Sequence, residues 1–166
     1  VLVQEGLITS EPQKGKHVRQ MTGKEIYDSY VVAGILEGAG VAESLPLWTE
    51  ANMETFRSVV RQMEGKISYA TKLDELAEID ELFHATLFMA CDNTRLVEMA
   101  RTSCATISKY LYYQHWITMF TPREYADRHH AVAEAVYSRD VKHVETALRD
   151  HYKETGLRMA QFGKEA

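Results

Sequence analysis

Apolar residues recur every three to four positions from Thr22 onward, which is the period of an α-helix with one buried face. Helix caps divide this pattern. Thr22-Gly23-Lys24-Glu25 resembles a capping box, and Thr121-Pro122 is a cap with proline at the first helical position. The pattern predicts six helices, over about residues 22–44, 49–63, 71–91, 93–116, 121–138 and 140–162. Helices of this length with short connections are typical of an antiparallel bundle, so the predicted fold class is all-α.

Residues 1–20 carry a different pattern. Residues 6–10 favour a short strand, residues 11–15 a turn and residues 16–19 a return strand. A hairpin of this kind is only marginally stable alone, so we expect it to be part of another domain. The sequence therefore predicts two parts, which are the remnant of a second domain at residues 1–20 and a helical domain at residues 21–166.

Composition excludes several classes of protein. The chain has 166 residues, 45% of them hydrophobic, which suits one globular domain. Cys91 and Cys104 lie far apart inside helical patterns, which excludes a disulfide framework and favours a reducing cytoplasm. There is no signal peptide and no apolar run of the roughly 18 residues that a membrane span needs, so no span is expected.

Charge is divided unevenly between the two parts. Residues 1–20 hold three basic and two acidic residues, whereas the other 146 residues hold 16 basic and 22 acidic ones. Because acidic residues outnumber basic ones in the helical domain, it is a poor candidate for binding nucleic acid by itself.

Four ionisable residues stand near the middle of the predicted apolar helix faces, namely Asp80, His84, His129 and His151. Asp80 and His84 lie one turn apart, so both side chains can reach one point. His129 is centred in its apolar stripe, whereas His130 points about 100° away. Each residue could instead be a core residue with its own hydrogen bond. Four such groups on three helices are more simply explained by a shared metal ion.

The candidate donors also suggest a ligand. Three imidazoles and one carboxylate suit Zn²⁺, Ni²⁺, Mn²⁺ or Co²⁺, and ligand type alone does not decide among these ions. We expect Zn²⁺ or Ni²⁺, with Mn²⁺ and Co²⁺ as alternatives. A divalent ion beside one carboxylate keeps a net positive charge, so an open coordination position would favour a small carboxylate.

Four further residues are candidates to contact such a carboxylate. The predicted fourth helix turns three polar side chains inward, those of Ser103, Tyr110 and Gln114. Arg158 lies two turns beyond His151 on the same face. The alternatives are that the first three satisfy one another or water, and that Arg158 is solvated.

These motifs stand in a recognisable order. They are Glu-Ile-Asp-Glu-Leu-Phe-His at 78–84, Asn-x-x-Leu at 93–96, His-His-Ala-Val-x-Glu-Ala-Val at 129–136, Asp140, and Ala-Leu-x-x-His at 147–151. The order resembles the C-terminal FCD domain of FadR-type regulators, which belong to the GntR superfamily of bacterial transcription factors. Upstream, Glu-Gly-Leu-Ile at 5–8 and Pro-x-x-Gly-x-x-Val at 12–18 resemble the end of a winged helix-turn-helix domain, with the hairpin as its wing.

The resemblance implies an all-helical bundle that forms a homodimer and binds a divalent metal through Asp80, His84, His129 and His151. It also implies a small organic acid bound at the metal, which would alter how the paired DNA-binding domains fit an operator. The wing residues that would contact DNA are Lys14 and Lys16.

The chain departs from the family pattern at one position. Many members carry an arginine four residues before the Glu of a Leu-Glu pair in the first helix, where it holds the effector carboxylate. Here the pair is Leu36-Glu37 and the corresponding residue is Ala33. The resemblance therefore does not predict a typical dicarboxylate or sugar-acid effector.

The sequence predicts a ligand-sensing domain of a cytoplasmic transcription regulator and not an enzyme. The alternative is a metal-dependent hydrolase or oxygenase, which needs an open metal position and a nearby general base. Glu37 is the candidate for such a base. A third interpretation is a helical bundle whose metal only stabilises the fold.

Overall fold

The computed structural model describes residues 7–165 except residues 12 and 14, and it confirms the all-α class. An antiparallel hairpin of β1 (Ile8–Glu11) and β2 (Gly15–Val18) precedes the helices and pairs Ile8 with Val18. The described residues form seven α-helices, which are α1 (Gly23–Ser44), α2 (Glu50–Ile67), α3 (Ala77–Leu87), α4 (Thr94–Ser103), α5 (Tyr113–Trp116), α6 (Pro122–Ser138) and α7 (Val141–Ala160).

Threonine caps begin three of the long helices. The Thr22 hydroxyl accepts a hydrogen bond from the Glu25 backbone N–H, and the Glu25 carboxylate accepts one from the Thr22 N–H. Reciprocal caps of the same kind begin α2 at Thr49 and α6 at Thr121. Each cap satisfies backbone donors that a helix end leaves open, so these predicted helix starts are confirmed.

Helix α1 packs antiparallel along α7 and also contacts α4. Two glycines allow the backbones to approach closely. A Cβ atom at Gly34 would lie 2.8 Å from Tyr152 Cβ, and one at Gly156 would lie 2.8 Å from Tyr30 Cβ. This close contact places the middle of α1 directly against the part of α7 that carries His151.

Replacing Gly34 with alanine is expected to destabilise the domain by about 1–3 kcal/mol, because the added methyl group overlaps a Cβ atom that no rotamer change can move. The matched control is Gly65→Ala in α2, where a Cβ meets nothing within 4 Å. There the helix propensity of alanine should add roughly 0.5–1 kcal/mol of stability. Urea denaturation followed by circular dichroism measures both changes. Unchanged stability in the Gly34 variant would contradict the tight α1–α7 contact.

The prediction of one continuous helix over residues 93–116 is wrong. Helix α4 ends at Ser103, a π-helical turn follows over Ile107–Leu111, and α5 is a single turn. The Tyr112 N–H bonds to the Ile107 carbonyl, five residues back, which shifts the following side chains out of α-helical phase. The predicted third helix is also shorter, since a 3₁₀ turn at Leu73–Leu76 precedes α3.

By length and composition alone, the stretch Gly23–Leu47 is apolar enough to cross a membrane. Half of it is buried inside the bundle, where α1 packs on α7 and α4. A core helix passes the same test, and we interpret α1 as one because it carries the buried, hydrogen-bonded Glu37.

Candidate metal centre and cavity

The four ionisable residues predicted from the sequence meet in one place. Each of His84, His129 and His151, on α3, α6 and α7, offers a nitrogen within 4.8 Å of the nitrogens from the other two. The Asp80 carboxylate oxygen Oδ1 lies 3.1 Å from His129 Nε2 and 4.0 Å from His84 Nε2. Polar side chains from three helices therefore converge on one point inside the bundle.

The ring of His129 has its orientation set by the backbone. Its Nδ1 lies 2.8 Å from the Tyr125 carbonyl oxygen, an acceptor to which only a protonated Nδ1 can donate. Burial lowers the pKa of His129 despite its hydrogen bond to Asp80. Its Nε2 faces the Asp80 carboxylate at 3.1 Å, a distance at which the two groups either share a proton or hold a cation between them.

Asp80 remains an acceptor in this environment. Burial alone would raise the pKa of its carboxyl, but the hydrogen bond from His129 and the charges of His84 and His129 together hold the pKa below its usual range. The Asp80 side chain is 26% exposed. An ionised carboxylate beside three imidazoles is a suitable ligand for a divalent cation.

His84 is held by a carboxylate from α1, that of Glu37. Its Nδ1 lies 2.6 Å from Glu37 Oε1, and the Tyr152 hydroxyl donates to Glu37 Oε2 at 2.7 Å. Burial would lower the pKa of His84, but the charge and hydrogen bond of Glu37 and the charge of Asp80 outweigh it and raise that pKa to about 9. A carboxylate behind the outer nitrogen is the usual support of a metal-binding histidine, and it leaves Nε2 facing the site, where a metal ion would displace its proton.

Sequence reasoning named Glu37 only as a candidate base and did not assign it the support of His84. Its signal was a single carboxylate in the otherwise uncharged residues 29–42, and the structure shows it to be 3% exposed. A buried carboxylate requires a partner, which here is supplied by α3 and α7.

His151 contributes a nitrogen without a partner. Its Nδ1 is buried and has no hydrogen bond among the described residues. Burial, together with the charge of His129, lowers the pKa of His151 well below its ordinary value, so the ring is neutral. An unsatisfied buried nitrogen is costly, and the three histidines could hold a metal ion together.

A cavity of about 250 Å³ opens beside this cluster. One side is closed by residues 104–120, which we call the cover segment. The cavity wall is largely apolar and includes Phe88, Ala100, Ala105, Trp116 and Phe120. Burial raises the pKa of the Cys104 thiol to about 12, so this wall residue is neutral and not a thiolate ligand.

The cavity also has charged lining residues. The Arg128 side chain donates to the His151 carbonyl at 2.6 Å and to the Thr155 hydroxyl at 2.7 Å. Lys109 of the cover segment pairs with Glu81 of α3 at 2.9 Å, and both side chains are at least half exposed. This second pair therefore lies at the solvent side of the cavity.

Three of the predicted effector contacts lie elsewhere. Ser103 lines a separate surface cleft and donates to the Met99 carbonyl, Tyr110 is 65% exposed, and Gln114 is exposed. None of them lines the cavity, so the expectation that they point inward is wrong. The cause is the end of α4 and the π-helical turn, which change the phase that a continuous helix would have had.

Arg158 also lies outside the cavity lining. Its guanidinium bonds to Glu124, Glu154 and the Met119 carbonyl, and it stacks over the Phe120 ring at 4.3 Å. Arg158 therefore ties α6 and α7 to the cover segment from the outside.

The two predicted DNA-contacting lysines lie in the hairpin. Lys16 is exposed on β2. Lys14 lies outside the described residues.

Comparison with known proteins agrees with this arrangement. The sequence model of the FCD domain family matches residues 28–154 of the chain. The HTH-type transcriptional repressor RspR of Escherichia coli is 24% identical over 167 residues, which covers 99% of this chain and 71% of the relative. An HTH-type transcriptional regulator of Shigella flexneri, YdfH, matches to the same extent.

Solved structures share the fold. The Escherichia coli protein McbR/YncC superposes with a TM-score of 0.76 at 15% identity, covering 97% of this chain and 76% of that one. A GntR family transcriptional regulator from Pseudomonas syringae pv. tomato has a TM-score of 0.68 at 20% identity, covering 97% of this chain and 66% of that one. The chain thus spans two thirds to three quarters of the length of these proteins.

The fold and the domain match together define a helical regulatory type of domain, and the chain belongs to the FCD domain family. It is the regulatory domain of a GntR-family transcription regulator, as its motifs predict. The named relatives are transcriptional regulators and not enzymes, so the prediction of a non-enzyme is confirmed and the hydrolase alternative gains no support.

Proposed function

We propose that this chain senses a small organic acid through a divalent metal ion and passes the signal to a DNA-binding domain upstream. Asp80, His84, His129 and His151 would hold the ion. The proposal rests on one observation, the convergence of donor atoms from three helices. A nitrogen from each of His84, His129 and His151 lies within 4.8 Å of the other two, and the Asp80 carboxylate lies 3.1 Å from His129 Nε2.

The donor set suits zinc or nickel, with manganese and cobalt as alternatives. FCD domains bind metal in some regulators, which supports this assignment. A bound divalent ion supplies positive charge, of which the Asp80 carboxylate cancels only one unit, and an anion is therefore favoured beside it. Ala33, which is fully buried, brings no positive charge from α1, so the attraction for a carboxylate depends on the ion.

A hydrogen-bonded link connects the cover segment to the hairpin. The Tyr112 hydroxyl accepts from the Met21 N–H at 3.0 Å and donates to the Met21 carbonyl at 3.2 Å. Met21 lies between β2 and α1. An effector that binds one arrangement of the cover segment better than another would shift the position of the hairpin, and coupling of this kind requires such a differential affinity.

The functional unit that we propose is a cytoplasmic homodimer. Val32 and Ile35, on the outer face of α1, are 46% and 38% exposed. Apolar side chains at this helical spacing favour pairing with a second copy of the same surface. A dimer would carry two upstream domains, as an operator with two half-sites requires.

Metal-loaded protein is expected to bind at least one acid from a panel of small carboxylates, and the same protein after chelation is expected not to bind it. Isothermal titration calorimetry measures both states. A saturating acid should also raise the melting temperature, since ligand at about 100 times its Kd adds about 2.7 kcal/mol of stability. Equal binding without metal would contradict docking at the ion. No heat with any acid would favour the interpretation in which the metal only stabilises the bundle.

A further inference from the structure

We infer that the cavity selects a monocarboxylate with an apolar body over dicarboxylates and polyhydroxy acids. This inference rests on the proposed function and names the class of effector for the same site. It follows from how the polar groups are distributed around the cavity and from which of them are already bonded.

One end of the cavity can hold a single carboxylate. Besides the metal-binding cluster, two phenolic hydroxyls line the cavity, those of Tyr30 and Tyr125. Both oxygens are buried. The Tyr125 hydroxyl interacts with Asp80 and the Tyr30 hydroxyl with Ser108, but neither makes a hydrogen bond of good geometry among the described residues, and Tyr30 is only 2% exposed. A phenol is a good donor to a carboxylate oxygen, and such charge-assisted bonds are stronger than neutral ones. The Tyr30 hydroxyl, whose neighbour Ser108 is neutral, is therefore the donor that we assign to the ligand.

The rest of the wall suits an apolar body. Phe88, Ala100, Trp116 and Phe120 offer hydrocarbon surface, and burial of apolar ligand surface against it is favourable. The volume of about 250 Å³ lies just below the usual range of ligand sites, roughly 300–1,000 Å³, so the ligand must be small.

A second carboxylate would find no free cation in the described part of the cavity. The Arg128 guanidinium bonds to the His151 carbonyl and the Thr155 hydroxyl through one nitrogen, and its charge is paired with the Glu154 carboxylate, 3.4 Å from Nε. Lys109 is paired with Glu81 at the solvent side. Arg101 is exposed, where solvent screens its charge. Desolvation of an unpaired carboxylate is costly, so a dicarboxylate should be rejected.

Extra hydroxyl groups on the ligand would find few free donors along this wall. The Ser108 hydroxyl already donates to the Cys104 carbonyl, and the Thr155 hydroxyl donates to the His151 carbonyl. The Tyr152 hydroxyl donates to Glu37. The hydroxyl groups of a sugar acid would therefore lose their hydrogen bonds to water and face an apolar wall, which is unfavourable.

Hexanoate and adipate form a matched pair of probes, because both have six carbons and only adipate carries a carboxylate at the far end. In calorimetric titrations of metal-loaded protein, we expect hexanoate to bind at least about tenfold more tightly than adipate. We expect Tyr30→Phe to weaken hexanoate binding by about tenfold while its metal content stays unchanged. The control is Tyr69→Phe, since Tyr69 is 70% exposed and does not line the cavity.

Tighter binding of adipate, or a Tyr30→Phe variant that binds hexanoate like the unchanged protein, would overturn the inference and leave carboxylate sensing intact. If neither acid nor any other member of the carboxylate panel binds, the proposed function fails together with the inference.

Discussion

Purified protein is expected to contain about one divalent metal ion per chain, and His129→Ala is expected to lose it. The imidazole of His129 is the donor opposite Asp80, and its orientation is set by the Tyr125 carbonyl, so no neighbouring nitrogen can take its place. Elemental analysis of untagged protein, before and after reconstitution, measures the metal content and also identifies the ion. Chelation should lower the melting temperature, because the ion binds only the folded state.

The adjacent histidine provides a matched control. His130 points away from the cluster and lies 3.3 Å from a Glu64 carboxylate oxygen, so His130→Ala should keep its metal. Asp80→Asn is a second test with little change in shape, and it should weaken binding because it removes the only negative charge that we assign to the ion. An unchanged protein that takes up no metal after reconstitution would contradict the site, and the histidines would then form a hydrogen-bonded polar core.

Glu37→Gln is expected to weaken metal binding by about 10- to 100-fold, although Glu37 is not proposed to touch the ion. Its carboxylate accepts the hydrogen bond of His84 Nδ1 at 2.6 Å, which fixes the ring and makes Nε2 a better donor to metal. A glutamine amide carries no charge and supports His84 less well. Competition against a chromophoric chelator measures the change in affinity.

Tyr152→Phe separates the effect of the Glu37 charge from the effect of the hydrogen bonds around Glu37. It removes the 2.7 Å hydrogen bond to Glu37 Oε2 and leaves the contact between Glu37 and His84 in place. We expect a smaller loss of metal affinity than in Glu37→Gln. Equal affinity of Glu37→Gln and the unchanged protein would show that His84 needs no support from α1, or that His84 is not a ligand.

The geometry favours sensing over catalysis. A catalytic zinc site commonly combines three protein ligands with an open position and a free general base. Here four candidate ligands converge, and Glu37, the candidate base, is already bonded to His84 and Tyr152. The relatives that match this chain are named as transcriptional regulators, which agrees with this assignment.

Local interactions explain what could be predicted from the sequence. The helix starts at Thr22, Thr49 and Thr121 depend on hydrogen bonds that reach only three residues along the chain. The inward direction of Asp80, His84, His129 and His151 depends on helical period, which is also local. These two signals were sufficient to select the side chains that meet in the bundle.

Other features depend on contacts between distant parts of the chain. Glu37 and His84 are separated by 47 residues, and Tyr152 and Glu37 by 115, so no local pattern reveals their pairing. The inward direction predicted for Ser103, Tyr110 and Gln114 failed because α4 ends early and the π-helical turn alters the phase. Periodicity assumes an unbroken helix, and a single break misplaces every side chain beyond it.

The sequence by itself determined the helical class, the helix caps, the family and the four side chains of the candidate metal centre, because each is encoded in short-range spacing. Only the tertiary structure decided which groups support that centre and which line its cavity. Glu37 supports His84, the cover segment closes the cavity, and Tyr30 lines the cavity with its hydroxyl buried. Packing brings these residues together, and their separation along the chain carries no signal.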